Sequence, residues 1–420
     1  MAARRDLADS AAAHGGGAGL GSRGGGGDGV LGWVARQGLV EGLGLVYFNY
    51  PQHLEGMDPD EVKRALSTAG LAAGGVALRF PGRFRAGALT NPDAALRAEA
   101  LALALGACGW ARDLGASEVV VWSAFDGYDY HMQGRGERQR AAPGGASGTP
   151  LIARPPAGPQ RSAAQQCRRL AALADAGATW RDLMHARSSA DYDLAWRRLA
   201  EGLSALADGC GPRVNVSLEW KPTDPSSRFS FVPSTAAALL LAREVNRPSF
   251  GLTLDTGHML MAGENPAHSA AMVAAAGKLF GMHLNDGHSR VGAEDGLIFG
   301  SVHPAAALEL VYWLRRVGYG GAVYFDTFPV NEDPVREAEL NIRRFKQLWA
   351  RAAQLDEAGI AAALLRHDSL GAMGLIDQEG VTGAAGPLQA LAAASSGGPR
   401  ALNRGVQSNT AEATVSRDEL

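Results

Sequence analysis

The chain has 420 residues with a formal net charge of −3, 46% hydrophobic and 20% charged residues, and 55 glycines, about 13% where an average protein has near 7%. That length suffices for one large barrel or two ordinary domains, and the near-neutral charge offers none of the clustered basic surface on which nucleic-acid binding rests. No run of eighteen apolar residues occurs, so no membrane span is expected, and the three widely spaced cysteines, Cys108, Cys167 and Cys210, argue against a disulfide scaffold.

Residues 1–30 open with an alanine-rich stretch carrying Arg4, Arg5, Asp6 and Asp9 and become mostly glycine from 15 to 29. They hold no continuous apolar stretch of the kind found in a signal peptide and read as a disordered leader. Gly19, Gly21 and Gly24 match G-x-G-x-x-G, but no strand precedes them, and a pyrophosphate site needs strand, turn and helix together. Strands are predicted at Leu45–Asn49, Val76–Phe80 and Val119–Trp122, with a helix at Pro92–Leu114. From Gly134 to about Ala163, Pro and Gly are scattered among charges without a period of 2 or 3.6, which marks an inserted loop, and Ala164–Ala190, with helical spacing in places, is counted with it as an insertion of about 134–190. Strands then resume at Val214–Glu219, Phe250–Asp255, Leu279–Asn285 and Ala322–Asp326. Helices fall at Ala190–Gly209, Ser234–Val245, Pro266–Ala276, Pro304–Val317 and Asp333–Leu355.

These strands are short and largely apolar, as parallel strands buried on both faces are. Repeated βα units form an open doubly wound sheet or a (β/α)₈ barrel, and the second is expected over residues 31–355. Residues 356–420 read as a C-terminal helix and a low-complexity tail. The tail ends in Arg417-Asp-Glu-Leu420, which resembles an endoplasmic-reticulum retention signal. Without an entry signal it is read as coincidence, and a cytoplasmic location is expected.

Four consecutive predicted strands end on ionisable residues: Glu219-Trp-Lys221, Asp255-Thr-Gly-His258, His283-Leu-Asn-Asp286 and Asp326-Thr-Phe-Pro329. In a closed barrel these ends converge on one mouth, whereas an open sheet spreads them in a line. Converging carboxylates oppose joint ionisation unless a cation neutralises them. Mixed oxygen and imidazole donors suit Mn²⁺, Mg²⁺, Co²⁺ or Zn²⁺. Asp255 would serve one ion and His258 a second, completed by Glu294 or Asp295. Each residue also has an ordinary structural reading, Asp255 and Asp286 as helix caps or turn residues and His258 as a hydrogen-bonded loop histidine. Lys221, two residues after Glu219, faces the same side and would assist a developing oxyanion, or is simply an exposed lysine at a strand end. Trp122, Trp220, Phe325 and Phe328 would wall an apolar pocket, or simply be core.

These motifs, with Gly300-Ser301, Leu89-Thr-Asn-Pro-Asp93 and Trp122…Asp126-Gly-Tyr-Asp129-Tyr130, resemble the xylose-isomerase-like (β/α)₈ superfamily, and most closely its L-rhamnose isomerase branch. The resemblance implies a first metal, with Mn²⁺ the first choice, held by Glu219, Asp255, His283 and Asp326. It implies a second, mobile metal held by His258 and Glu294 or Asp295. Lys221, Glu219 and His258 would be catalytic, and Trp122, Asp126 and Phe328 would contact substrate. The implied reaction interconverts an aldose and a ketose, moving hydrogen between C1 and C2. The implied partner is a small sugar, with no nucleic acid and no membrane, and a family-like homo-oligomer is expected. Only seven strands are predicted, so the family's first strand is either replaced by the leader or missing. Rival readings are a sugar 3-epimerase, a metal-dependent apurinic endonuclease and a non-catalytic binding barrel.

Overall fold

A computed structural model describes residues 29–122, 125–128, 192–223, 229–289 and 294–377. The glycine-rich leader to residue 28, Asp129 and Tyr130, the insertion over 134–190 and the tail beyond 377 lie outside the described residues. The chain divides into two units, Met1–Glu357 and Ala358–Leu420.

The first unit runs α1 (Gly29–Gln37), β1 (Leu45–Tyr50), α2 (Pro59–Thr68), β2 (Ala72–Arg79), α3 (Ala94–Leu114), β3 (Glu118–Trp122) and β4 (Gly127–Tyr128). It continues with α4 (Tyr192–Cys210), β5 (Asn215–Glu219), β6 (Phe229–Ser230), α5 (Thr235–Val245), β7 (Phe250–Asp255), α6 (Thr256–Met261) and α7 (Pro266–Ala275). It ends with β8 (Leu279–Leu284), α8 (Pro304–Arg316), β9 (Val323–Phe325) and α9 (Pro334–Glu357). In the second unit the described helices are α10 (Ile360–Leu365) and α11 (Ser369–Asp377).

Seven parallel strands form one sheet in the order β1-β2-β3-β5-β7-β8-β9, with helices in the connections. The rings of Tyr47 in β1 and Tyr324 in β9, the two edge strands, lie 5.4 Å apart, so the sheet curls until its margins meet without hydrogen bonding to each other. This is a (β/α)₈-type barrel with seven strands among the described residues, and the opening falls between the last strand and the first. The short β4 and β6 pair antiparallel above the rim. A cavity of about 330 Å³ lies against β9 and α9, lined by Val323, Phe345, Lys346 and Trp349 among others.

Local chemistry starts several helices where the residues change character. Asp58, Asp93, Ser234 and Asn265 are N-caps whose side chains accept backbone N–H groups of the first turn, each worth about 1 kcal/mol. Pro59, Pro266 and Pro304 begin α2, α7 and α8, where their missing N–H costs nothing. Inside the sheet, Glu118 accepts hydrogen bonds from Tyr47 Oη (3.0 Å), Ser217 Oγ (2.6 Å) and Thr253 Oγ1 (3.2 Å), a buried polar layer beneath the rim. Burial, reinforced by Glu118, pushes the Tyr47 hydroxyl far above the usual phenol range.

Two sequence expectations change, and a third stands. β2 begins at Ala72, earlier than its apolar run, because the Tyr47 ring packs where Cβ atoms of Gly74 and Gly75 would stand, so an Ala-Gly stretch of low strand propensity is held by a neighbour. Cys108 and Cys210 form a disulfide between α3 and α4, with Cα atoms 5.1 Å apart and 102 residues between them in sequence. Separation in sequence argues against a bond that the packing of two helices brings about. Finally, α3 is long and apolar enough to cross a bilayer by length and composition alone. Arg97, Glu99, Arg112 and Asp113 interrupt any uniform apolar run, and Ala100, Ala104, Ala107, Cys108 and Ala111 form a buried face, so this helix belongs to the barrel's outer ring.

Candidate metal centre at the strand ends

Glu219 closes β5, Asp255 closes β7, His283 lies in β8 and Asp326 immediately follows β9. Strand register places Asp255 opposite His283, and adjacent positions in register project to one face. The result is that Glu219, Asp255, His283 and Asp326, all buried, each present a donor atom within 4.8 Å of the others. A second set shares Asp255 and adds His258 and Glu294, again within 4.8 Å.

Asp255 fills two of the roles that the sequence allows it. It is the N-cap of α6, its Oδ1 accepting the His258 N–H at 3.0 Å, and it also belongs to both donor sets. Asn285 braces it from behind: Nδ2 donates to Asp255 Oδ1 (3.2 Å) and Oδ2 (3.3 Å) and to the Asp326 carbonyl (3.0 Å). Thr256 in turn fixes Asn285, its Oγ1 bonding the Asn285 carbonyl (2.8 Å) and Oδ1 (2.9 Å). Gly257 makes this approach possible, since a Cβ there would stand 2.8 Å from Asn285 Oδ1. The Asp255-Thr-Gly-His258 motif and the Asn of His283-Leu-Asn285 are therefore one orienting assembly, and such supporting bonds set the geometry of metal ligands.

The electrostatics are those of an anionic cluster held by imidazoles. His283 Nδ1 lies 3.4 Å from Glu219 Oε1 and 3.9 Å from Asp255 Oδ2, and it is buried without a hydrogen-bond partner. His258 Nδ1 donates to the Trp220 carbonyl at 2.9 Å, which leaves Nε2 facing Glu294 Oε2 at 3.5 Å. Burial opposes the charged form of both histidines, but the surrounding carboxylates outweigh it: Asp255 and Glu294 raise His258 to about 9, and Glu219, Asp326 and Asp255 raise His283 to about 9. For Glu219, burial is outweighed by His283 and His258, which hold its carboxyl well below the usual range. Asp255 is pushed up by burial, with relief from His258 and reinforcement from the neighbouring acids.

A divalent ion fits these residues. Three carboxylates and a hydrogen-bond-less imidazole nitrogen converging on one point form a mixed oxygen and nitrogen donor set, and an ion would satisfy both their mutual repulsion and the orphaned nitrogen. The second set could hold another ion through Asp255, His258 and Glu294.

The remaining residues expected at the site fall in different places. Lys221 Nζ pairs with Glu294 Oε2 at 2.7 Å and lies 5.6 Å from the Trp122 ring centroid, so Lys221 and Trp122 wall the mouth beside the second donor set. Asp295 is not among that set; its Oδ2 accepts the His288 N–H at 2.6 Å and shapes the loop carrying Glu294. The Phe328 N–H donates to the Gly296 carbonyl at 2.7 Å, tying the same loop to the segment after β9. Asp126 is buried, with Oδ1 accepting from the Ala88 N–H, the Thr90 N–H and Thr90 Oγ1 at 3.0, 3.0 and 2.8 Å, so it organises the loop after β2. Asp286 holds the backbone before α8, accepting the Val302 and His303 N–H groups at 2.8 and 2.9 Å.

Sequence reasoning missed Asn285, although its position inside His283-Leu-Asn285-Asp286 marked it. It also missed Arg79 and Asn49. Arg79 ends β2 with its guanidinium 5.0 Å over the Trp122 ring and its Nε donating to Asn49 Oδ1 at 2.9 Å. Nothing in the apolar run before Arg79 distinguishes it from an exposed strand-end arginine.

A family model described as xylose isomerase-like TIM barrel matches residues 142–348. Over that span the chain is similar to xylose isomerase-like TIM barrels. It is 33% identical over 180 residues to the xylose isomerase of Streptomyces lividans, covering 41% of this chain and 42% of that one. With the xylose isomerase of Thermus thermophilus it shares 27% over 247 residues, covering 58% of this chain and 49% of the relative. The chain thus spans less than half the length of these curated relatives. A solved structure of L-ribulose 3-epimerase superposes with a TM-score of 0.50 and 16% identity, covering 76% of this chain and 88% of that one, a likeness of fold alone.

Proposed function

We propose that this chain is a metal-dependent aldose–ketose isomerase acting on a small sugar and moving hydrogen between C1 and C2. The observation that carries the reading is the pair of donor sets sharing Asp255, with Lys221 Nζ 2.7 Å from the Glu294 carboxylate at the edge of the second. A pair of sites of this kind grips two neighbouring oxygens of one substrate, as isomerisation between adjacent carbons requires.

When bound at Glu219, Asp255, His283 and Asp326, and at Asp255, His258 and Glu294, divalent ions would polarise the substrate carbonyl and its neighbouring hydroxyl; Mn²⁺ is the first choice. Lys221 Nζ would donate a hydrogen bond to the oxygen at C1, stabilising negative charge as it develops there. His258, fixed in one tautomer by the Trp220 carbonyl, presents Nε2 toward the reacting end. Trp122, beside Lys221, covers the apolar face of the sugar and excludes water. L-rhamnose, which the motifs imply, and D-xylose, which the relatives' names imply, are the first substrates to try.

The decisive measurement is a Mn²⁺-dependent isomerase assay over an aldose panel, with metal content determined in parallel. Turnover that disappears in Lys221→Ala while the metal stays bound supports the reading. Bound metal with no turnover of any sugar overturns it.

A further inference from the structure

Lys221 has a carboxylate partner, whereas Arg79 forms no ion pair among the described residues. Arg79, Trp122 and Glu219 are directly in register across β2, β3 and β5, so their side chains project to the same interior face as the donor carboxylates. Trp122 holds the Arg79 guanidinium by stacking, and Asn49 accepts from its Nε. These contacts orient the planar fork and use only one of its donors. The two terminal nitrogens form the edge that matches an oxyanion. Charge points the same way: if the four carboxylates Glu219, Asp255, Asp326 and Glu294 are balanced by two divalent ions, the charges of Lys221 and Arg79 remain at the mouth. A neutral aldose compensates neither.

We infer that Arg79 is a specificity-determining residue for an anionic group, carboxylate or phosphate ester, at the end of the sugar remote from C1. This rests on the isomerase reading and narrows its substrate class. Two strand spacings separate Arg79 from Glu219, about 10 Å between backbones. A six-carbon chain whose C1–C2 end lies at the shared donors therefore extends its other end toward the guanidinium, along the Trp122 ring.

The test compares D-glucuronate and D-glucose 6-phosphate with D-glucose and L-rhamnose on the Mn²⁺-loaded protein, by turnover and by calorimetric binding, in the wild type, Arg79→Ala and Arg79→Lys. Circular dichroism and metal content verify that each variant is folded and loaded. The expected result is a preference of about 10- to 100-fold for one anionic sugar, the gain of a charge-assisted bidentate contact. That preference should collapse toward unity in Arg79→Ala and return in part in Arg79→Lys. Preference for the uronate identifies the anion as a carboxylate, and preference for the phosphate identifies it as an ester. Equal or better use of the neutral sugars by the wild type overturns the inference and leaves the isomerase reading intact. An anion preference that survives in Arg79→Ala overturns it as well. Should no sugar turn over, the isomerase reading fails, and binding decides for Arg79: anion-selective binding lost in Arg79→Ala supports it, and unselective or absent binding overturns it.

Discussion

His258 Nδ1 donates to the Trp220 carbonyl at 2.9 Å, and the same ring's Nε2 stands 3.5 Å from Glu294. One backbone oxygen thereby decides which imidazole nitrogen faces the donor set, because a carbonyl can only accept. Substituting His258→Gln keeps a polar side chain but removes that nitrogen. The expected outcome is a drop from two bound divalent ions to one by elemental analysis, with kcat lower by about 100-fold or more. Two ions retained in the variant would remove His258 from the second site.

Asn285 connects two candidate metal donors, donating to the Asp255 carboxylate and to the Asp326 carbonyl. Asn285→Ala leaves every ligand in place and is expected to weaken metal affinity by about 10- to 100-fold. Gly257→Ala should do the same from the other side, by displacing the Asn285 amide. Titration calorimetry with Mn²⁺ measures both, and affinities within a factor of two of wild type would show the bracing to be dispensable.

The raised pKa values of His258 and His283, about 9 in each case, give the ion-free fold a pH dependence of known sign. An imidazolium that the folded state stabilises contributes fully below the unfolded value of about 6.5, and that contribution is lost as pH rises toward about 9. Metal binding needs the neutral rings and so releases protons. The increase in thermal midpoint on adding Mn²⁺ should therefore grow between about pH 6 and pH 8.5, with proton release detectable in weak buffer. An increase that is flat or shrinks with pH would contradict both assignments.

Cys108 and Cys210 close a loop with a sequence separation of 102 residues. Reducing the bond, or making Cys108→Ser, is expected to lower stability by about 2–4 kcal/mol, read as a shift in the denaturation midpoint. Sugar turnover measured at low temperature should be unaffected, because neither cysteine lies at the mouth.

All seven sheet strands were legible from short apolar runs between turn signals, and the first donor set from the residues ending four of them. A strand that stops on Glu219 or Asp255 announces the rim in its own sequence. What escaped was decided by contacts between distant segments. The start of β2 depends on the Tyr47 ring, the disulfide on how α3 packs with α4, and the choice between Glu294 and Asp295 on which of two neighbours reaches the His288 backbone. Arg79 escaped for the same reason, since only the register of β2 with β3 turns a strand-end arginine toward the site.

The open margin between β9 and β1 bears unequally on the donors. Glu219, Asp255 and His283 come from strands flanked on both sides, whereas Asp326 follows an edge strand joined to the sheet only through β8. The gap consequently lies beside one candidate donor and away from the other three. Of the four donors, Asp326 is therefore the one whose placement would register a change at the seam first.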